Sequence, residues 1–111
     1  MTRPNLSKDV NELLVLATLR GGAVHGYEIA LAVERDSRGA FTFQHGTLYP
    51  ILHRLEKQGL IKGRWTPESR RKRTYELTAK GRTHLEGETG AVRGVFVDLM
   101  RVLEGPSHAT G

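Results

Sequence analysis

The chain has 111 residues, 38% hydrophobic and 26% charged, which suits one globular domain with one modest core and excludes a disordered chain. Cysteine is absent, which rules out disulfides, thiolate metal sites and thiol catalysis. The formal charge is +5, and neither a bilayer-spanning run of about 18 apolar residues nor the apolar stretch of a secretory signal accompanies it, so no membrane association and a cytoplasmic location are expected.

Residues 7–20 read as a first helix. Ser7 suits its N-cap, Asp9 the positive end of its dipole, and Val10, Leu13, Leu14 and Ala17 form an apolar stripe that Leu16 and Leu19 widen. Gly21-Gly22 stops it. A second helix fits 25–35, with Ile29, Ala30 and Val33 inward, followed by the turn cluster Asp36-Ser37-Arg38-Gly39. Phe41-Thr42-Phe43 is either a brief extended segment or a pair of anchoring aromatics. The third helix spans 44–58, with Leu48, Leu52 and Leu55 inward; Pro50 removes one early backbone hydrogen bond, and Gly59 ends the helix.

The periodicity then turns from helical to alternating. Ile61, Gly63 and Trp65 share one strand face, Arg73, Tyr75 and Leu77 another, and Thr66 to Lys72 make a polar, basic hairpin tip. Thr78 caps a last helix running to about Leu103, and Gly105-Pro106-Ser107 opens a disordered tail. Three short helices bury little area alone, and a hairpin adds the missing wall. The fold class expected is therefore mainly α with a small β-hairpin: a winged helix-turn-helix over 1–78, a long C-terminal dimerisation helix over 79–104, and a disordered tail over 105–111.

The charge is placed unevenly. From Arg54 to Arg82 lie ten basic residues against three glutamates, a net +7 that leaves −2 for the rest. Such a block is the electrostatic footprint of a polyanion binder, or else a solvated cationic surface. The outward positions of the third helix are Thr47, Pro50, His53, Arg54 and Lys57, with Gln44 and His45 at its entry. These are the groups a recognition helix uses on base edges, although any amphipathic helix has a polar outer face. Arg70-Arg71-Lys72-Arg73 crowd like charges at one turn, and Lys62 and Arg64 extend them along the first strand, an arrangement that favours phosphate contacts.

Gly46-Thr47-Leu48-Tyr49-Pro50-Ile51-Leu52-His53-Arg54-Leu55-Glu56, followed by Gly59-Leu60-Ile61, resembles the signature of PadR-type transcriptional regulators. His25-Gly26-Tyr27-Glu28-Ile29 upstream and Tyr75-Glu76-Leu77-Thr78 with Gly81 downstream are similar to its other segments. The resemblance runs from about Val10 to Leu85, and the length and single last helix resemble the short subfamily. It implies a bacterial, cytoplasmic, dimeric winged-helix regulator, usually a repressor, with double-stranded DNA as partner and a small-molecule effector relieving repression. It also implies backbone contact by Tyr27 and Tyr49, with the wing following the minor groove. The DNA-facing set is then Tyr27, Gln44, His45, Thr47, Tyr49, His53, Arg54, Lys57, Arg64, Arg70, Arg71, Lys72 and Arg73.

In the last helix Leu85, Val92, Phe96, Leu99 and Leu103 cluster on one stripe, flanked by Val95 and Met100. The heptad spacing of 85, 92 and 99 suits a homodimer seam; the other reading is packing on the first helix of the same chain. The expected interface is Leu85, Val92, Val95, Phe96, Leu99 and Leu103. Gly87, Gly90 and Gly94 lie nearly opposite, where either another backbone approaches or the helix is soft and its angle adjustable. Family members that bind flat aromatic compounds use a tryptophan in this helix; here the one tryptophan, Trp65, belongs to the wing.

Catalysis is not expected. The histidines His25, His45, His53, His84 and His108 include no i, i+4 pair, so no metal site is expected. Neither a G-x-S-x-G elbow nor a phosphate-binding P-loop occurs, and Asp9 with Glu12 reads as surface and dipole residues. No cofactor is implied. The alternative from another class is a winged-helix protein-interaction module without DNA binding, whose mark would be a neutral or acidic wing; Arg70 to Arg73 point away from it.

Overall fold

Amphipathic periodicity and glycine punctuation produce four helices and three strands in a computed structural model that describes residues 6–66 and 69–105. In chain order they are α1 (Leu6–Thr18), β1 (Val24–His25), α2 (Gly26–Asp36), α3 (His45–Lys57), β2 (Ile61–Thr66), β3 (Ser69–Leu77) and α4 (Ala79–Glu104). This is the winged-helix arrangement expected, and each helix falls within two residues of its expected ends. The side chains of Ser7 and Asp9, the hairpin tip at Pro67 and the tail after Gly105 lie outside the described residues.

The sheet goes beyond a hairpin. Its order is β1-β3-β2, antiparallel throughout, so β3 is central. Val24 pairs with Tyr75 and His25 with Thr74, where the sequence had placed His25 in a helix. Across the hairpin Ile61 faces Leu77, Gly63 faces Tyr75 and Trp65 faces Arg73, which puts the two alternating sets on one face, as their period requires. Phe41-Thr42-Phe43 takes no regular structure.

The core gathers Val15, Leu16 and Leu19 of α1 and its end, Ile29 and Val33 of α2, and Leu48, Ile51, Leu52 and Leu55 of α3. Leu60, Ile61, Tyr75 and Leu85 close it. In α1 the fully buried face is Val15, Leu16 and Leu19, while Val10, Leu13, Leu14 and Ala17 are only half-buried. The stripe read from the sequence therefore flanks the most deeply buried face, since α2, α3 and α4 all pack on α1.

Two junctions hold α3 in place. Gly59 adopts the left-handed conformation, φ 77°, and Leu60 N–H donates to Leu55 O at 3.0 Å, closing the helix in a Schellman-type turn. Thr78 then serves α4 twice: its hydroxyl accepts from Gly81 N–H at 2.9 Å and donates to Gly59 O at 2.6 Å. Gly81 rests directly on the Leu60 carbonyl, with no room for a β-carbon. The end of α3 and the start of α4 thus share one backbone knot.

Candidate nucleic-acid interface

The outer face of α3 carries Thr47, His53 and Lys57, all exposed, with Gln44 exposed at the N-cap in extended conformation, φ −86° and ψ 158°. Thr47 and Leu48 N–H both donate to Gln44 O, at 2.9 and 3.0 Å. The helix continues through Pro50, whose missing N–H forgoes only the bond to the Gly46 carbonyl. With Leu48, Ile51, Leu52 and Leu55 buried, the polar ridge is held outward by the core. His45 lies at the first position of α3; its side chain is outside the described residues.

Tyr27 of α2 and Tyr49 of α3 are each 42% exposed. Gly26 lies under the Tyr49 ring and under Tyr75: a methyl group there would meet Tyr75 Cε2 at 3.3 Å and Tyr49 Cε1 at 3.4 Å. The His25 and Tyr27 rings stack at 5.9 Å between centroids. Both tyrosines therefore combine a packed ring with an outer edge at the surface.

Two arginines assigned to DNA are engaged elsewhere. Arg54 Nε donates to Glu12 Oε2 at 2.9 Å, and the side chains are 38% and 14% exposed, so the pair staples α3 to α1. Glu12, read as a surface residue, is instead the more enclosed, part-buried half of this pair. Arg73 donates through Nη1 and Nη2 to Glu56 Oε1 and Oε2 at 3.0 and 2.8 Å, a two-pronged contact between β3 and α3. Its guanidinium sits 5.6 Å from the Trp65 ring centre and 5.4 Å from that of Tyr75. Gly63 makes this reach feasible, since a β-carbon there would overlap the Arg73 guanidinium. The hydrogen bonds to Glu56 raise the Arg73 pKa against the effect of burial, and burial raises the Tyr75 phenol above its ordinary value.

The solvent side of the wing keeps Lys62, exposed, and Arg64, which is exposed and pairs with Glu76 across the strands at 3.5 Å. The side chains of Arg70, Arg71 and Lys72 belong to β3 but lie outside the described residues. Glu56 and Gly63 are the residues that sequence reading missed. Their signal was Arg73 itself, which alternation had put on the same face as Tyr75 and Leu77, the face toward the core.

The profile of the transcriptional regulator PadR-like family matches residues 15–87. The chain belongs to that family. A transcriptional regulator of Mycobacterium tuberculosis is 38% identical over 90 residues, which cover 79% of this chain and 78% of that protein. A crystal structure from Streptococcus mutans superposes with a TM-score of 0.77 at 29% identity, over 97% of this chain and 99% of that one. The Bacillus subtilis PadR structure in complex with operator DNA gives 0.64 at 29% identity, over 70% of this chain and 44% of that one. This PadR-like chain is thus a winged-helix protein of a transcription-regulator family rather than an enzyme, in agreement with the sequence reading. Among the described residues no helix is long and apolar enough to cross a membrane.

α4 divides along its length. Leu85 is 2% exposed and belongs to the core, and Val92 and Val95 are half-buried. From Phe96 onward the apolar residues stand out, with Leu99 40%, Met100 46% and Leu103 68% exposed. Packing on the same chain therefore explains the first half of the stripe and leaves the second half uncovered. A methyl group at Gly87, Gly90 or Gly94 would meet nothing within 4 Å, so no backbone of this chain approaches there.

Proposed function

We propose that this PadR-like chain is a sequence-specific double-stranded DNA-binding transcriptional regulator: a cytoplasmic homodimer that represses and is relieved by a small-molecule effector. Residues 1–78 form the DNA-binding unit and 79–104 the dimerisation helix. The observation that carries the reading is the α3 ridge of Gln44, Thr47, His53 and Lys57, fixed outward by four buried aliphatic residues and flanked by a cationic hairpin. In this reading α3 enters the major groove with Gln44, His45 and Thr47 nearest the bases. Tyr27 and Tyr49 touch the backbone, and Lys57, Lys62, Arg64, Arg70, Arg71 and Lys72 meet phosphates. Arg54 and Arg73 are left out of the contacting set, because Glu12 and Glu56 hold them in part-buried pairs, whereas Arg64 beside Glu76 stays 61% exposed.

The second half of α4 supplies the dimer seam. Phe96, Leu99 and Leu103 expose a continuous apolar stripe that a second copy would cover, and two-fold symmetry gives two half-sites. The Bacillus subtilis PadR bound to its operator supports the same use of the fold here.

Selection of duplexes from a random pool, then anisotropy titration across a salt series, tests the assignment. Lys57→Gln and Lys62→Gln should weaken binding to every duplex and each lower the salt slope by about one. Thr47→Ala or Gln44→Ala should change the ranking of duplexes, by roughly 1–3 kcal/mol per good base contact. Uniform loss from these two, or affinity indifferent to salt, would remove the major-groove assignment.

A further inference from the structure

A cavity of about 330 Å³ lies between the C-terminal end of α1 and the first half of α4, within the size range of small-molecule sites. Arg20, Arg82 and Arg93 line it, with Glu86, Leu85 and Thr89. Arg82, Glu86, Thr89 and Arg93 follow one another at intervals of four, three and four, so they share one face of α4. Gly90 belongs to the same wall, and its missing side chain keeps the space between Glu86 and Arg93 open. Arg20 reaches the cavity from the segment just after α1.

The charge inside is unbalanced. Among the described residues, ion pairs engage Arg35, Arg54, Arg64, Arg73 and Arg101 but none of the three arginines of the cavity. Three guanidiniums against the single carboxylate of Glu86 leave +2 around a concavity. Arg20, Arg82 and Arg93 are exposed around it, and an anion among like charges relieves their mutual repulsion. Planar guanidinium forks match phosphate and carboxylate oxygens in pairs. The Thr89 hydroxyl adds a donor, and Leu85, almost wholly buried, lies at the floor.

We propose that this cavity binds a small organic dianion, a phosphate monoester or dicarboxylate carried on a compact apolar body. The inference stands apart from the DNA-binding reading, since none of its residues is among the proposed DNA contacts.

Isothermal calorimetry of the full chain with phenyl phosphate, and in a second arm with phthalate, at constant ionic strength tests it. One site per chain is expected for at least one probe. Arg20→Met and Arg93→Met should each weaken it at least tenfold, and Gly90→Leu, which fills the space without changing charge, should do the same. Arg35→Met, outside the cavity lining, should leave it unchanged, and circular dichroism should show every variant folded. Absence of binding heat for both probes overturns the proposal, and so does affinity that survives Arg20→Met and Arg93→Met. Binding of inorganic phosphate as tight as phenyl phosphate would overturn the apolar-body requirement.

Discussion

Replacing Glu56 by Gln removes the charge that holds Arg73 while keeping the shape of the side chain. The Arg73 and Glu56 side chains are 28% and 30% exposed and meet at 2.8 Å, so they are neither a surface pair nor a fully buried one. At an effective dielectric of about 20 the direct attraction at such range is about 6 kcal/mol. Desolvation and residual screening cancel most of it, and exposed pairs keep about 0.2–1 kcal/mol. A coupling of about 1–2 kcal/mol between the two side chains is expected. Glu56→Gln alone should cost about 2–3 kcal/mol, because it leaves a guanidinium in a closed setting where its Nε is already buried without a partner. For a chain of 111 residues that corresponds to a fall in Tm of about 8–15 °C. The assay is a double-mutant cycle of Glu56→Gln, Arg73→Met and the pair, by urea unfolding at one protein concentration. Because Arg73 joins β3 to α3, the single variants should also weaken binding to every duplex alike. A coupling below about 0.3 kcal/mol would refute the view that this contact sets the position of the wing.

Two glycines of α4 should respond in opposite senses. Gly81→Ala drives a β-carbon into the Leu60 carbonyl and should destabilise by about 1–3 kcal/mol despite the better helix propensity of alanine. Gly94→Ala meets open space and should stabilise by about 0.5–1 kcal/mol, both read by thermal unfolding. Tyr75 has its pKa raised by burial, so its neutral form is favoured by folding. Stability should hold up to pH about 10, the unfolded value, and fall as pH rises further toward the folded one; absorbance at alkaline pH combined with urea midpoints checks this. Phe96→Glu with Leu99→Glu should leave the chain monomeric in sedimentation, where the unsubstituted chain is expected to dimerise, while keeping the circular dichroism of the winged-helix core intact.

The four helices were legible because each carries an apolar face of the right period and a glycine or turn cluster at its end. β1 was not, because two residues have no period; Val24 and His25 become a strand only when β3 offers an edge. The face of α1 was misread for a related reason. Its sequence is apolar over more than half the circumference, and only the packing of α2, α3 and α4 on it decides that Val15, Leu16 and Leu19 lie deepest. At the interface, the exposed ridge of α3 follows from Leu48, Leu52 and Leu55. The Glu12–Arg54 pair joins residues 42 apart in the chain, which no local pattern reports. Arg73 was the opposite case: its strand parity was visible, but the basic run around it drew the residue into the tip.

The knot of Gly59, Leu60, Thr78 and Gly81 has a mechanical meaning. It welds the exit of α3 to the root of a helix of 26 residues, about 39 Å long at 1.5 Å per residue. Such a helix is a lever whose fulcrum is the last turn of α3: each degree of tilt at the root displaces the far tip by about 0.7 Å. A strain too small to disturb the core would therefore reach whatever grips the tip as a shift of several ångströms, and a push applied there would return to α3 with the same mechanical advantage.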